Sequence, residues 1–220
     1  MTQNVLAVIP VREFGKSKLR LRGYLSGAER SALTKTLFEH VLKALEESLV
    51  SKILVVASDV AEISNHVDTA RNTFVIGESK HHGGVNEAVM DGIFYSLAEI
   101  EDFTSIMIVP SDLPLLSSEA INDAISQLSR YDLIIGPSSK LDGTSLLLFD
   151  VKKGKIPFHY DDNSYRNHVK EAKELKMRYT IIKSKEFSWD VDTKDDLKKL
   201  MSKLKIRSFQ ELLHEINGRK

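Results

Sequence analysis

The 220 residues carry 31 basic and 31 acidic side chains, so the formal net charge is zero. That balance excludes the electrostatic footprint of a nucleic-acid or anionic-membrane binder. A hydrophobic share of 42% with 28% charged residues fits one globular domain, with at most an appendage. The absence of Cys excludes disulfides and Cys-based zinc sites and fits a reducing compartment.

Met1-Thr2-Gln3-Asn4 has no basic region, and the first apolar run is too short for a signal peptide or a membrane helix. The expectation is a cytoplasmic protein without a membrane partner. Val5-Leu6-Ala7-Val8-Ile9, closed by Pro10, reads as a strand buried on both faces. The loop from Val11 to Tyr24 follows, with Arg12, Lys16, Lys18, Arg20 and Arg22 against the single acid Glu13. Ser26 with Glu29 makes a capping box for a helix running to about Glu47. Lys52 to Ala57 reads as a second buried strand, Ser58-Asp59 caps a short helix through Val67, and Asn72 to Ile76 is a weaker strand. After the loop 77–84, Val85 to Ile100 has helical periodicity.

Ser105 to Val109 is a fourth strand, ending at Pro110 and followed by Ser111-Asp112-Leu113-Pro114-Leu115-Leu116. Ser117 or Ser118 caps a helix through Leu128, and Asp132 to Gly136 and Thr144 to Phe149 are strands on either side of an Asp142-Gly143 turn. A helix from about Tyr165 to Leu175 and a strand from Arg178 to Lys183 come next. Then Ser188-Trp189-Asp190-Val191-Asp192 turns into a helix capped by Thr193 with Asp196, and Ser208 with Glu211 caps a last helix. The alternation predicts an α/β fold: a mostly parallel, mixed sheet flanked by helices on both faces. In such sheets ligands bind at the carboxyl ends of the strands, where the candidate residues fall.

The basic loop can wrap a polyphosphate, or be a solvated surface loop; it has neither Walker nor G-x-G-x-x-G spacing. Gly83-Gly84 lets backbone approach a flat ligand, and Asn86 offers a donor and an acceptor to a base edge; a plain turn is the alternative. Asp112, with Asp190 and Asp192 on one side of an extended segment, supplies the hard oxygens magnesium takes. Turn or cap carboxylates are the alternative reading of the pair. Asn163-Ser164 opens a helix whose N-terminus is suited to an anion, with His168 one turn on. Adjacent His81-His82 lack a third ligand at zinc spacing, and no G-x-S-x-G elbow supports a hydrolase.

Taken in order, Lys16-Ser17-Lys18-Leu19, Gly84-Val85-Asn86-Glu87-Ala88, Pro110-Ser111-Asp112-Leu113-Pro114-Leu115-Leu116, Asp142-Gly143-Thr144, Ser164…His168 and Asp190-Val191-Asp192-Thr193 resemble the 2-phospho-L-lactate guanylyltransferase family. This archaeal family acts in making coenzyme F-420. The resemblance runs from residue 5 to about 204. It implies a Rossmann-like, nucleotide-diphospho-sugar transferase type of domain over 1–204, with 205–220 as a helical extension. It also implies the reaction: the phosphate of 2-phospho-L-lactate attacks the α-phosphorus of GTP, giving lactyl-2-diphospho-5′-guanosine and pyrophosphate. The alternatives are a related nucleotidyltransferase acting on phosphoenolpyruvate, 3-phosphoglycerate, molybdopterin or a sugar phosphate, and a catalytically silent nucleotide-binding module.

Carried over by resemblance, Asp112, Asp190 and Asp192 hold Mg2+. Arg12, Lys16 and Lys18 meet the triphosphate, with Ser111 in the same nucleotide-binding set, and Gly84 and Asn86 sit by the guanine. Thr144 and Ser164 take the acceptor phosphate, so the implied partners are GTP and a small phosphorylated carboxylic acid. Lys16, Lys18 and Asp112 are the implied catalytic residues, and a homodimer is implied. The chain departs from the family pattern in having Lys18 where Arg is common and Ser145 where Asn is usual.

Overall fold

In a computed structural model, residues 3–79, 84–153, 158–160 and 162–203 are described. The capped helix expected over 208–216, with the rest of 205–220, lies outside them, as do Gly83 and His81-His82. The strands are β1 (Val5–Val11), β2 (Val50–Ala57), β3 (Thr73–Gly77), β4 (Ser105–Ile108), β5 (Leu133–Pro137), β6 (Thr144–Asp150) and β7 (Tyr179–Ile181). The helices are α1 (Gly27–Glu46), α2 (Val60–Ser64), α3 (Val85–Glu99), α4 (Ser118–Ser126), α5 (Ser164–Glu174), α6 (Lys185–Ser188) and α7 (Lys194–Lys203).

One seven-stranded sheet runs in the order β3-β2-β1-β4-β6-β5-β7. β1 pairs in parallel with both β2 and β4, whereas β6 is antiparallel to both β4 and β5. The sheet is therefore mixed, as expected. From β1 the chain goes outward to β2 and β3, then returns to the other side of β1 for β4. That reversal opens a crevice at the carboxyl ends of β1 and β4. Because β6 runs the other way, its amino end, Thr144, reaches the same edge of the sheet.

Local rules explain most element ends. Ser26 Oγ accepts from Glu29 N at 3.2 Å while Ser26 N donates to the Glu29 carboxylate at 2.7 Å, so the expected capping box is formed. Thr193 and Asp196 make the same reciprocal pair at the start of α7. Ser117, not Ser118, caps α4. Two expectations are corrected. β1 runs through Pro10 to Val11, because β4 pairs only as far as Val8 and the missing Pro10 N–H faces no central ladder. α2 stops at Ser64, short of Val67, and the single turn of α6 is too short to leave a periodic pattern in the sequence.

Apolar side chains fill both faces of the sheet. One core holds Phe38, Val41 and Leu45 of α1 and Ile121 and Ile125 of α4; the opposite core holds Ala88, Val89 and Ile93 of α3 and Ala172 of α5. A third cluster joins Leu21 of the basic loop and Leu25 just after it to Leu33 and Leu37 of α1 and to Val191, Leu197 and Leu200. It fastens the basic loop and the Asp190-Val191-Asp192 segment to the same helix. Among the described residues no helix is long and apolar enough to cross a membrane.

Candidate active site

Two clefts open on the carboxyl edge of the sheet. The first is lined by Arg12, Lys16, Ser17, Lys18 and Arg20 of the basic loop, by Glu78, Gly84 and Val85, and by Ser111, Asp112 and Asp192. The second is lined by Ser138, Asp142, Thr144, Ser145, Tyr160, Asn163, Ser164 and Asp190, and again by Asp112 and Asp192. The two carboxylates therefore stand at the junction of the clefts.

Between them lies Lys18. Its Nζ donates to Asp112 Oδ2 and, at 3.1 Å, to Asp192 Oδ1, and only 4% of its side chain is exposed. Burial works against the ammonium, but the Asp112 and Asp192 charges and hydrogen bonds outweigh it and raise the Lys18 pKa. The backbone at Lys18 is left-handed, φ 53° and ψ 39°, a conformation costly to a side-chain-bearing residue. Fully buried Leu21, one turn on, holds it there. Arg20 reaches Asp192 Oδ2 at 3.4 Å but is largely exposed, so solvent screens that contact.

Alternation along the extended segment sets the third carboxylate. Val191 is fully buried in the α1 cluster, so Asp190 and Asp192 both project away from it. Burial raises the Asp190 pKa, and the Asp192 and Asp112 charges raise it further, against the opposing effect of Lys18. The acidic concentration at the junction is thus greater than one lysine neutralises. Among the described residues no three His, Asp or Glu side chains are drawn together closely enough to hold one ion. The expected three-carboxylate metal set takes a different form here: Asp112 and Asp192 converge on one cation, Lys18 Nζ, with Asp190 as a charged neighbour.

Of the expected phosphate contacts, Lys16 is exposed and paired with Glu13 at 2.7 Å, and both it and Arg12 line the first cleft. Ser111 and Gly84, the N-cap of α3, line that cleft. Asn86 does not: its side-chain carbonyl accepts from Tyr160 N at 2.6 Å, tying the start of α3 to residues 158–160. Sequence reasoning passed over Glu78 at this end of the cleft. Burial raises its pKa against the lowering influence of Arg12, with Asp91 and Glu87 adding to the rise. Nothing in the spacing of a single Glu after a weak strand singles it out.

In the second cleft, Asp142 Oδ1 accepts from Ser138 Oγ and from Gly143 N, each at 2.7 Å, and fixes the turn that delivers Thr144. The Ser138 hydrogen bond lowers the Asp142 pKa, although burial opposes it. Thr144 N donates to Ser164 Oγ at 2.8 Å, so the two residues expected to share an acceptor phosphate are in direct contact across 20 positions of sequence. Asn163 precedes α5 with no side-chain cap on its N–H groups. His168, fully buried, sits 2.8 Å from Thr144 Oγ1 through Nδ1.

Comparisons with known proteins identify the family of the chain. Residues 5–217 match the family described as Guanylyl transferase CofC like. A protein of Methanocaldococcus jannaschii named 2-phospho-L-lactate guanylyltransferase is 34% identical over 86% of this chain and 79% of its own. One of Roseiflexus sp. named phosphoenolpyruvate guanylyltransferase is 31% identical over 87% of this chain and 82% of its own. A crystal structure from Desulfovibrio desulfuricans G20, titled as a nucleotide-diphospho-sugar transferase, superposes with a TM-score of 0.79 over 98% of this chain and 96% of that one. At 19% identity it shows the fold alone. The family match, spanning nearly the whole chain and both clefts, places the protein among the CofC-like guanylyl transferases.

Proposed function

We propose that this protein transfers GMP from GTP to 2-phospho-L-lactate, forming lactyl-2-diphospho-5′-guanosine and releasing pyrophosphate, a step of coenzyme F-420 biosynthesis. One observation carries the reading: two clefts, one basic and one lined by hydroxyls and a helix N-terminus, meet at Asp112 and Asp192. A transfer between two phosphates needs such a junction, with donor on one side and acceptor on the other. GTP occupies the first cleft, its triphosphate along Arg12, Lys16 and Lys18. The acceptor occupies the second, its phosphate on Thr144, Ser164 and the start of α5.

An acceptor phosphate oxygen forms the new bond to the α-phosphorus, and the bond from that phosphorus to the β-bridging oxygen breaks, its electron pair leaving with pyrophosphate. The nucleophile is ionised at neutral pH, so no residue has to remove a proton. Lys18 holds positive charge where charge builds on the transferring phosphoryl oxygens.

Mg2+ suits the donor set. Two carboxylate oxygens already converge on a cation, a third carboxylate adds charge that Lys18 alone leaves unbalanced, and Mg2+ completes its shell with water and phosphate oxygens. Asp112 and Asp192 would hold it, and it would supply electrostatic stabilisation of the α-phosphoryl oxygens.

The Roseiflexus relative's name favours a second acceptor, phosphoenolpyruvate, of the same three-carbon phosphoacid class. A panel of GTP, ATP, CTP and UTP against 2-phospho-L-lactate, phosphoenolpyruvate, 3-phosphoglycerate and sugar phosphates, scored by pyrophosphate release, separates these. The expected result is release with GTP and 2-phospho-L-lactate above all other pairs. Release only with a sugar phosphate, or none with GTP and any three-carbon phosphoacid, rules the reading out.

A further inference from the structure

His168 is the fully buried side chain behind the second cleft whose hydrogen bonds fix its own proton. Its Nε2 lies 3.1 Å from the backbone N–H of His159. A backbone N–H can only donate, so Nε2 is the accepting nitrogen. A neutral imidazole carries one N–H, which must then be on Nδ1 and must point at Thr144 Oγ1, 2.8 Å away. The Thr144 hydroxyl is accepting from His168, so its own hydrogen is turned elsewhere. Ser164 Oγ likewise accepts, from Thr144 N at 2.8 Å. Both residues line the second cleft, and each offers it a hydroxyl hydrogen.

We propose that His168 is a positioning residue for the acceptor: as a neutral Nδ1–H ring it occupies an accepting lone pair of Thr144 and fixes that hydroxyl as a donor to the acceptor's phosphate in the second cleft. The kinetic part rests on the function proposed above; the hydrogen-bond part does not. The surroundings keep the ring in this state. Tyr160 packs edge-on against it, centroids 5.3 Å apart, and His159, its ring 6.0 Å away, is itself engaged by Glu171 at 2.9 Å. Burial, with the His159 charge adding to it, lowers the His168 pKa to about 4, so the ring is uncharged at neutral pH. An imidazolium would set two N–H groups face to face at His159. The arrangement suits a phosphate, whose several oxygens can accept from both hydroxyl hydrogens at once.

Two substitutions divide the ring's two hydrogen bonds. Asn at 168 can put an N–H near the Nδ1 position, and Gln can put an acceptor near the Nε2 position. If His168 acts through Thr144, His168→Gln raises KM for the acceptor about tenfold and leaves KM for GTP within twofold, while His168→Asn stays near wild type. In the Thr144→Val background His168→Gln then adds no further loss. Additive losses, equal changes in both KM values, or a wild-type-like Gln variant with a damaged Asn variant overturn the proposal. The wild-type protein gives a test free of folding effects: histidine-selective 15N NMR. A protonated Nδ1 with an unprotonated Nε2 at neutral pH supports it. An Nε2–H ring overturns it, even if no acceptor turns over and the function proposed above has failed on its own test.

Discussion

Lys18 and Asp112 stand 94 residues apart in the chain and are joined by an ion pair at the meeting point of the two clefts. Asp192, from a third region, closes the arrangement on the same ammonium. Lys18→Met removes that charge and leaves the carboxylates facing one another. Turnover is expected to fall on the order of a hundredfold or more. The stability cost is about 1–2 kcal/mol, at the low end for a buried pair because both carboxylates are partly exposed. Added magnesium is expected to restore more melting temperature to Lys18→Met than it adds to the parent, since the carboxylates are then free to take it. Thermal melts with and without magnesium, alongside pyrophosphate release, check both halves.

The three carboxylates are expected to separate on substitution. Asp192 touches Lys18, whereas Asp190 is held with a raised pKa by burial and then by the charges of Asp192 and Asp112. Its ionised form destabilises the fold, so Asp190→Asn should raise the melting temperature by about 2 °C. Asp112→Asn and Asp192→Asn should not stabilise, and each should lower kcat on the order of a hundredfold. Asp190→Asn should cost less. Melting curves and kcat measured on the three variants test that ranking.

His168 makes the fold sensitive to mild acid. Its folded pKa, about 4, lies below the ordinary 6.5. Between these values the unfolded chain binds a proton that the folded chain does not, so stability is full above pH 6.5 and falls as pH drops toward 4. The gap corresponds to on the order of 3 kcal/mol. Half-buried His40 is lowered too, by burial, and pulls in the same direction, so the readout is a difference. Urea unfolding at pH 7.5, 6 and 5 should show a shallower loss for His168→Asn than for the parent.

At Gly92, α3 packs directly on β1 and β2. A Cβ there would meet Val8 Cγ1 at 2.8 Å and Val56 Cγ2 at 2.9 Å, both on buried strands. Gly92→Ala gains helix propensity but overpacks this contact, for a net loss of about 1–3 kcal/mol. Denaturant melts measure it directly. GTP binding should also weaken, because Gly84 at the first cleft is the N-cap of the displaced helix.

Features set by near neighbours are legible in the sequence. The capping pairs Ser26/Glu29 and Thr193/Asp196 lie three residues apart, and the buried strands β1, β2 and β4 announce themselves as β-branched runs. The period-2 projection of Asp190 and Asp192 was legible for the same reason. Long-range pairing was not. Lys18 was expected on a phosphate because it lies in a basic loop; that its ammonium is clasped by Asp112 and Asp192 depends on contacts spanning 94 and 174 residues. The chemistry of Asn86 suits a base edge, but its side-chain carbonyl accepts from Tyr160 N, 74 residues away. His168 was legible only as a residue one turn from Ser164. Its partner Thr144 is set by how α5 sits against the amino end of β6, which no local pattern encodes.

The most direct measurement is a single reaction: the purified protein with GTP, 2-phospho-L-lactate and magnesium, its products identified by mass spectrometry and 31P NMR. The expected products are lactyl-2-diphospho-5′-guanosine and pyrophosphate in equal amounts, lost together in Asp112→Asn. Pyrophosphate with free GMP and no diphosphate-linked product, or no consumption of GTP while GTP still binds, would contradict transfer between the two clefts.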